Sequence, residues 1–72
     1  TIDARGLRCP LPVLKLEKRL ASAARGETIV VLASDPMARI DIPLYCRQNG
    51  HICLEAATED HMQFTVTVGV AD

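Results

Sequence analysis

The 72-residue chain has no tryptophan, and Tyr45 and Phe64 are its only aromatic residues. The aromatic platforms on which single-stranded nucleic acids stack are therefore missing, and direct nucleic-acid binding is not expected. No apolar run approaches the roughly 20 residues that a helix needs to cross a bilayer. We therefore expect no membrane association and a cytoplasmic setting. The three cysteines, an odd number, include no C-x-x-C pair, so the framework of a small secreted disulfide protein is excluded. Free thiols in a reducing compartment are the simpler reading. Also missing are a glycine-rich phosphate loop, a Ser/His/Asp set and a pair of carboxylates suited to one pocket. Cys46, His51 and Cys53 fit no familiar zinc spacing and lack an obvious fourth ligand, so neither a metal nor a cofactor is expected. The chain begins at Thr1 rather than at methionine, which leaves a removed leader open.

What is present suits one small domain over residues 1–72, 49% hydrophobic and aliphatic in its core. A chain this short buries only about 60% of the surface it exposes when unfolded, leaving little room for a deep substrate pocket. Its net charge of −1 hides an asymmetry. Residues 1–26 carry six bases and two acids, a balance of +4, and residues 27–72 carry two bases and seven acids, a balance of −5. The ordinary reading is two solvated faces. The functional reading is a basic end that docks an acidic partner, with Lys15, Lys18 and Arg19 as the docking residues.

Periodicity gives the order βαβαββ. Thr1 to Ala4 is a short strand, and Arg5 to Arg8 turns the chain. Val13, Leu16, Leu20 and Ala24 recur at helical spacing over Pro10 to Ala24, and Gly26 stops that helix. Thr28 to Ala33 reads as a central strand. Asp41-Ile42-Pro43 reads as a second helix start, with Asp41 as N-cap and Pro43 in the first turn, and Asn49-Gly50 closes it. Two strands follow, His51 to Thr58 and Met62 to Val68. Strict alternation in the first puts Cys53 on the open sheet face with His51 and Glu55. In the second, Met62, Phe64, Val66 and Val68 face the core. The fold expected is an α/β (α+β) two-layer sandwich: a four-stranded mixed sheet with two helices on one face.

The segment Arg8-Cys9-Pro10-Leu11-Pro12 carries the chemistry. With Cys9 as N-cap, Pro10 and Pro12 fall at N1 and N3, where a missing N–H costs no helical bond. The sulfur then sits at the positive end of the helix with Arg8 and Arg5 near it, which favours the nucleophilic thiolate and predicts an acidic shift. The ordinary reading makes Cys9 a plain cap, although cysteine caps poorly. Cys46 shares a helix face with Ile42 and Tyr45 and reads as a buried structural thiol. His51 and His61, near strand ends, read as capping or solvent-facing.

Asp3-Ala4-Arg5-Gly6-Leu7-Arg8-Cys9-Pro10-Leu11-Pro12 resembles the signature of the TusA family, also called SirA-like or YedF-like. The likeness continues through Gly26-Glu27, Asp35-Pro36, Asp41-Ile42-Pro43, Cys46 and Gly50-His51, nearly the whole chain. The resemblance implies the same βαβαββ sandwich and a sulfur carrier or sulfurtransferase. Such a carrier accepts persulfide sulfur on Cys9, with Arg5, Arg8, Pro10 and Pro12 in support. It implies a cysteine desulfurase or other persulfide donor, and a DsrE- or TusD-like acceptor in tRNA thiolation, cofactor assembly or sulfur oxidation. The alternative is a redox-sensing or regulatory module in which Cys9 carries no sulfur.

Overall fold

In the computed structural model, residues 1–69 are described; residues 70–72, the end of the expected domain, lie outside them. Strand β1 (Ile2–Ala4) leads to helix α1 (Leu11–Leu20) and strand β2 (Thr28–Ala33). Helix α2 (Ala38–Gln48) and strands β3 (Ile52–Ala57) and β4 (Met62–Thr67) complete the order. The sheet runs β1-β2-β4-β3, with β1 parallel to β2 and the other pairs antiparallel. This is the expected α+β architecture, and β2 and β4 form its centre. Among the described residues no helix is long and apolar enough to cross a membrane.

Alternation places one face of the sheet under the helices. Ile29, Val31 and Ala33 of β2 and Met62, Phe64 and Val66 of β4 are buried there, against Leu16 of α1 and Ile42 of α2. Burying an aliphatic or aromatic side chain of this kind contributes about 1.5–3 kcal/mol, so a core this small rests on few residues. The β2 strand follows the sequence reading residue for residue, and β4 differs only in ending at Thr67, with Val68 buried beyond it.

Three expectations are corrected. Helix α1 ends at Leu20, and Ala24 is exposed beyond it. Helix α2 begins at Ala38 with Met37 as N-cap, so Asp41 lies inside the first turn and Pro43 lies in the helix interior. Pro43 therefore leaves the Arg39 carbonyl without its helical N–H, a cost the sequence reading had avoided by starting the helix later. Burial of Ala38 and Ile42 offsets it. Finally, Cys53 pairs with Val66 and Glu55 with Phe64, so both share the helix side of the sheet, and Ile52 and Leu54 take the open face. Glu55 reaches Arg39 of α2 at 3.1 Å from that side.

The parallel pairing matters most for the site. Ala4 lies opposite Ala33, so β1 and β2 end side by side and their onward segments leave the sheet together. Ser34 ties the two, its Oγ accepting the Gly6 N–H at 2.8 Å. Gly6 has φ +82°, the left-handed turn that sends the chain from β1 toward α1.

Candidate functional site

Cys9 lies just ahead of α1, one residue earlier than a cap, because Pro10 is the N-cap and Pro12 occupies N2. The Cys9–Pro10 peptide bond is cis. Pro12 is buried beneath the helix, whereas Cys9 is exposed. The helix start is closed by the backbone: the Leu11 N–H donates to the Arg8 carbonyl at 2.8 Å. No side-chain cap is present, so the sulfur does not take the role of N-cap acceptor.

Two carboxylates hold Cys9 instead. Asp35, two residues beyond β2, accepts the Cys9 N–H on Oδ2 at 2.6 Å and the Met37 N–H on Oδ1 at 3.0 Å. One side chain thereby fastens the approach to α1 to the start of α2. These two backbone hydrogen bonds, with Arg8 nearby, hold the Asp35 carboxyl below its ordinary range. Asp41, from the first turn of α2, accepts the Cys9 thiol proton, with Sγ to Oδ2 at 2.6 Å.

That contact reverses the electrostatic expectation. The hydrogen bond to Asp41 pushes the Cys9 thiol up, and partial desolvation and the charges of Asp41 and Asp35 add to it. The cause is spatial: bases adjacent in sequence are engaged elsewhere. Arg5 folds back on Asp3 with Nε–Oδ1 at 2.9 Å, and its hydrogen bonds hold the Asp3 carboxyl at about 2. Arg8 acts on Asp35 only at a distance, helping to hold its carboxyl down. The pH midpoint for alkylation of Cys9 should lie above that of a free cysteine peptide, near pH 8.5. A midpoint below the peptide would mean that the Asp41 contact is not kept in solution.

Around the sulfur, Cys9, Pro10 and Val13 face Asp41, Leu44 and Tyr45 across an open groove of ≈ 320 Å³ between α1 and α2. Leu44 among the lining residues is itself exposed, and Leu11, Leu14 and Ile40 are further exposed apolar side chains of the same two helices. The basic residues are elsewhere. Lys15, Lys18 and Arg19 line a second groove with Thr1, Ile2 and Asp3, on the β1 side of α1, and Arg19 pairs with Glu27. The sequence-derived site residues thus divide between two surfaces.

The other thiols are enclosed. Cys46 is fully buried, and its hydrogen bond to Cys53 and its burial both push its thiol up, keeping it protonated. Cys53 is half-buried against the same core. His51 accepts the Gly69 N–H on Nδ1 at 2.8 Å, and His61 sits beside Asp60 at 2.8 Å. Among the described residues no cluster of three or more His, Cys, Asp or Glu side chains could hold a metal ion.

Sequence reasoning missed Asp35 and Asp41 as neighbours of Cys9, having read them as turn and cap. The parallel β1–β2 pair was the available signal. It brings the segments following both strands to one edge, as at the carboxyl ends of strands in α/β sheets generally.

The model of the family described as Sulfurtransferase TusA matches residues 1–68. Two proteins of Neisseria meningitidis, from serogroups A and B, carry the words sulfur carrier protein in their names. Each is 44% identical over 68 residues, covering 94% of this chain and 90% of the relative. The crystal structure of a SirA-like protein from Desulfitobacterium hafniense matches with a TM-score of 0.84 at 26% identity, covering 94% of this chain and 95% of that one.

Proposed function

The chain belongs to the TusA family, and from that premise we propose that it is a sulfur carrier, taking a persulfide sulfur onto Cys9 and passing it to an acceptor protein. The observation that carries this reading is the exposed Cys9 thiol at the mouth of an apolar groove, set against a buried Cys46 and a half-buried Cys53. Atoms balance without any oxidant. The Cys9 sulfur attacks the outer sulfur of a donor R–S–SH, the donor S–S bond breaks, and its electron pair leaves on R–S, which takes up the displaced proton. The products are Cys9–S–SH and R–SH. Delivery repeats the exchange with an acceptor thiol.

The groove is open and the domain small, which suits a protein-bound donor better than a small substrate held in a pocket. A cysteine desulfurase or another enzyme-bound persulfide would supply the sulfur, and a DsrE- or TusD-like protein would receive it, in the cytoplasm. Pro10 and Pro12 fix the approach of Cys9 to α1, Arg5 pairs with Asp3, and Arg8 supplies a positive charge next to Cys9 in the chain. Redox sensing by Cys9 fits less well, because sensor thiols are low in pKa and this one is pushed up.

Incubation with a desulfurase and cysteine should add the mass of one sulfur atom to the chain, removable by a thiol. A chain that gains no mass while the desulfurase turns over would refute the carrier reading. Lys15, Lys18 and Arg19 serve in this reading as a docking surface remote from the sulfur. Transfer should slow as salt rises, since exposed charges are screened over about 10 Å at 0.1 M salt. Reversing Lys15 and Lys18 to Glu should slow it at low salt while leaving reaction with an uncharged alkylating reagent unchanged. Indifference to both treatments would assign docking to exposed apolar side chains of the two helices, Leu11, Leu14, Ile40 and Leu44.

A further inference from the structure

We propose that Asp41 sets the direction of sulfur transfer: its carboxylate stabilises the empty Cys9 thiol and disfavours the loaded persulfide, so that the carrier yields sulfur more readily than it retains it. This rests on the carrier reading above. The empty state has a good contact, with the thiol donating to Asp41 Oδ2 at 2.6 Å. Hydrogen bonds to an ionised acceptor are stronger than neutral ones. Loading removes it. In Cys9–S–SH the inner sulfur bears no hydrogen, so Oδ2 loses its donor as soon as the new S–S bond forms.

The outer sulfur then lies about 2.05 Å beyond Sγ. A hydropersulfide is a stronger acid than the parent thiol, so the loaded group tends to carry negative charge beside an existing carboxylate. Its charged and titratable surroundings are acidic on balance. From α2 come Asp41 and the neutral phenol of Tyr45, and from the segment after β2 comes Asp35. Arg8, the adjacent base, acts at a distance on Asp35. Both effects act in one direction, favouring the thiol over the persulfide.

Delivery restores the favourable state with atoms conserved. An acceptor thiol R′–SH attacks the outer sulfur, the Cys9 S–S bond breaks, and the electron pair returns to Sγ. The proton lost by the acceptor ends on Sγ, which again donates to Asp41. No net oxidation occurs, and Asp41 leaves the cycle unchanged. Its place in the first turn of α2 ties this preference to the α1–α2 groove through which a partner reaches the sulfur.

The test compares wild type with Asp41→Asn, and with Asp41→Ala as a second variant, after circular dichroism shows each folded. Each protein is equilibrated with a fixed ratio of glutathione persulfide to glutathione, and the loaded fraction is read by mass spectrometry. Alkylation of the empty thiol by iodoacetamide is followed against pH. Removing the charge should raise the ratio of loaded to empty carrier on the order of tenfold, the factor for one pKa unit, and lower the alkylation midpoint. A loaded ratio unchanged or lower in both folded variants overturns the role of Asp41 while leaving the carrier reading intact. A wild-type protein that takes up no sulfur overturns both. If both variants fail to fold, Asp41 is needed for the fold, and its assignment as a tuner of transfer is overturned.

Discussion

Cys9→Ser should take up no transferable sulfur, whereas Cys46→Ala and Cys53→Ala should each load as wild type does. A serine hydroxyl keeps the shape of the side chain and a donor for Asp41 but forms no persulfide. The loss should therefore be complete without unfolding the chain. The other two thiols are less open than Cys9. Cys46 is fully buried and Cys53 is half-buried beside it, which disfavours both as targets of a protein-bound persulfide. Cys46→Ala removes a buried sulfur and should lower stability, a separate effect that thermal unfolding distinguishes from loading. Mass spectrometry after desulfurase treatment, followed by peptide mapping, measures all three. Residual loading of Cys9→Ser equal to wild type would move the carrier role to another thiol.

How the sequence foretold some of these features and not others follows from the range of the interactions. Thr28 to Ala33 and Met62 to Val68 are legible from local pattern alone: an unbroken β-branched and apolar run marks the first as a central strand, and alternation in the second separates buried from solvated positions. Cys46 was legible for the same reason, since Ile42 and Cys46 fall four apart on one buried helical stripe. Ile52 to Ala57 misleads by the same kind of pattern. Ile52, Leu54 and Ala56 form an apolar side that reads as core-facing, but pairing with β4 turns Cys53 and Glu55 to the helices and leaves Ile52 and Leu54 exposed. Glu55, which looked like a marker of the wet face, sits on the helix side because Arg39 meets it there.

The start of α2 was misread for a reason visible in the residues. Asp41-Ile42-Pro43 has the composition of a helix entrance, but the real entrance is stabilised by Asp35 accepting the Met37 N–H from outside the helix. The site shows the same limit more sharply. Six bases in the first 26 residues suggested a cationic setting for Cys9. The fold brings Asp41 to the sulfur and Asp35 to the Cys9 N–H, and Arg5 pairs with Asp3. The proposed carrier thiol can be named from local sequence; its acidic neighbours depend on contacts spanning 26 and 32 residues.

Phe64→Ala should remove a large share of the stability of this domain. Phe64 is completely buried, the largest of the fully buried side chains among the described residues, and it lies on β4, one of the two interior strands. It is paired with Val31 on one side and Glu55 on the other, so a cavity there sits where both halves of the sheet meet the helices. Truncating a buried phenylalanine costs about 3–5 kcal/mol, through lost burial and the hole left behind. At 0.05–0.15 kcal/mol per residue, a 72-residue domain has roughly 4–11 kcal/mol in total. Tyr45, the other aromatic residue, lines the groove and cannot fill the gap. Urea unfolding followed by circular dichroism should show a midpoint shifted far down or no folded baseline at all. Phe64→Leu, which leaves a smaller hole, should fall between the two. A midpoint for Phe64→Ala close to wild type would mean that Leu16, Ile42 and Val31 close over the site, and that the core is more plastic than its packing implies.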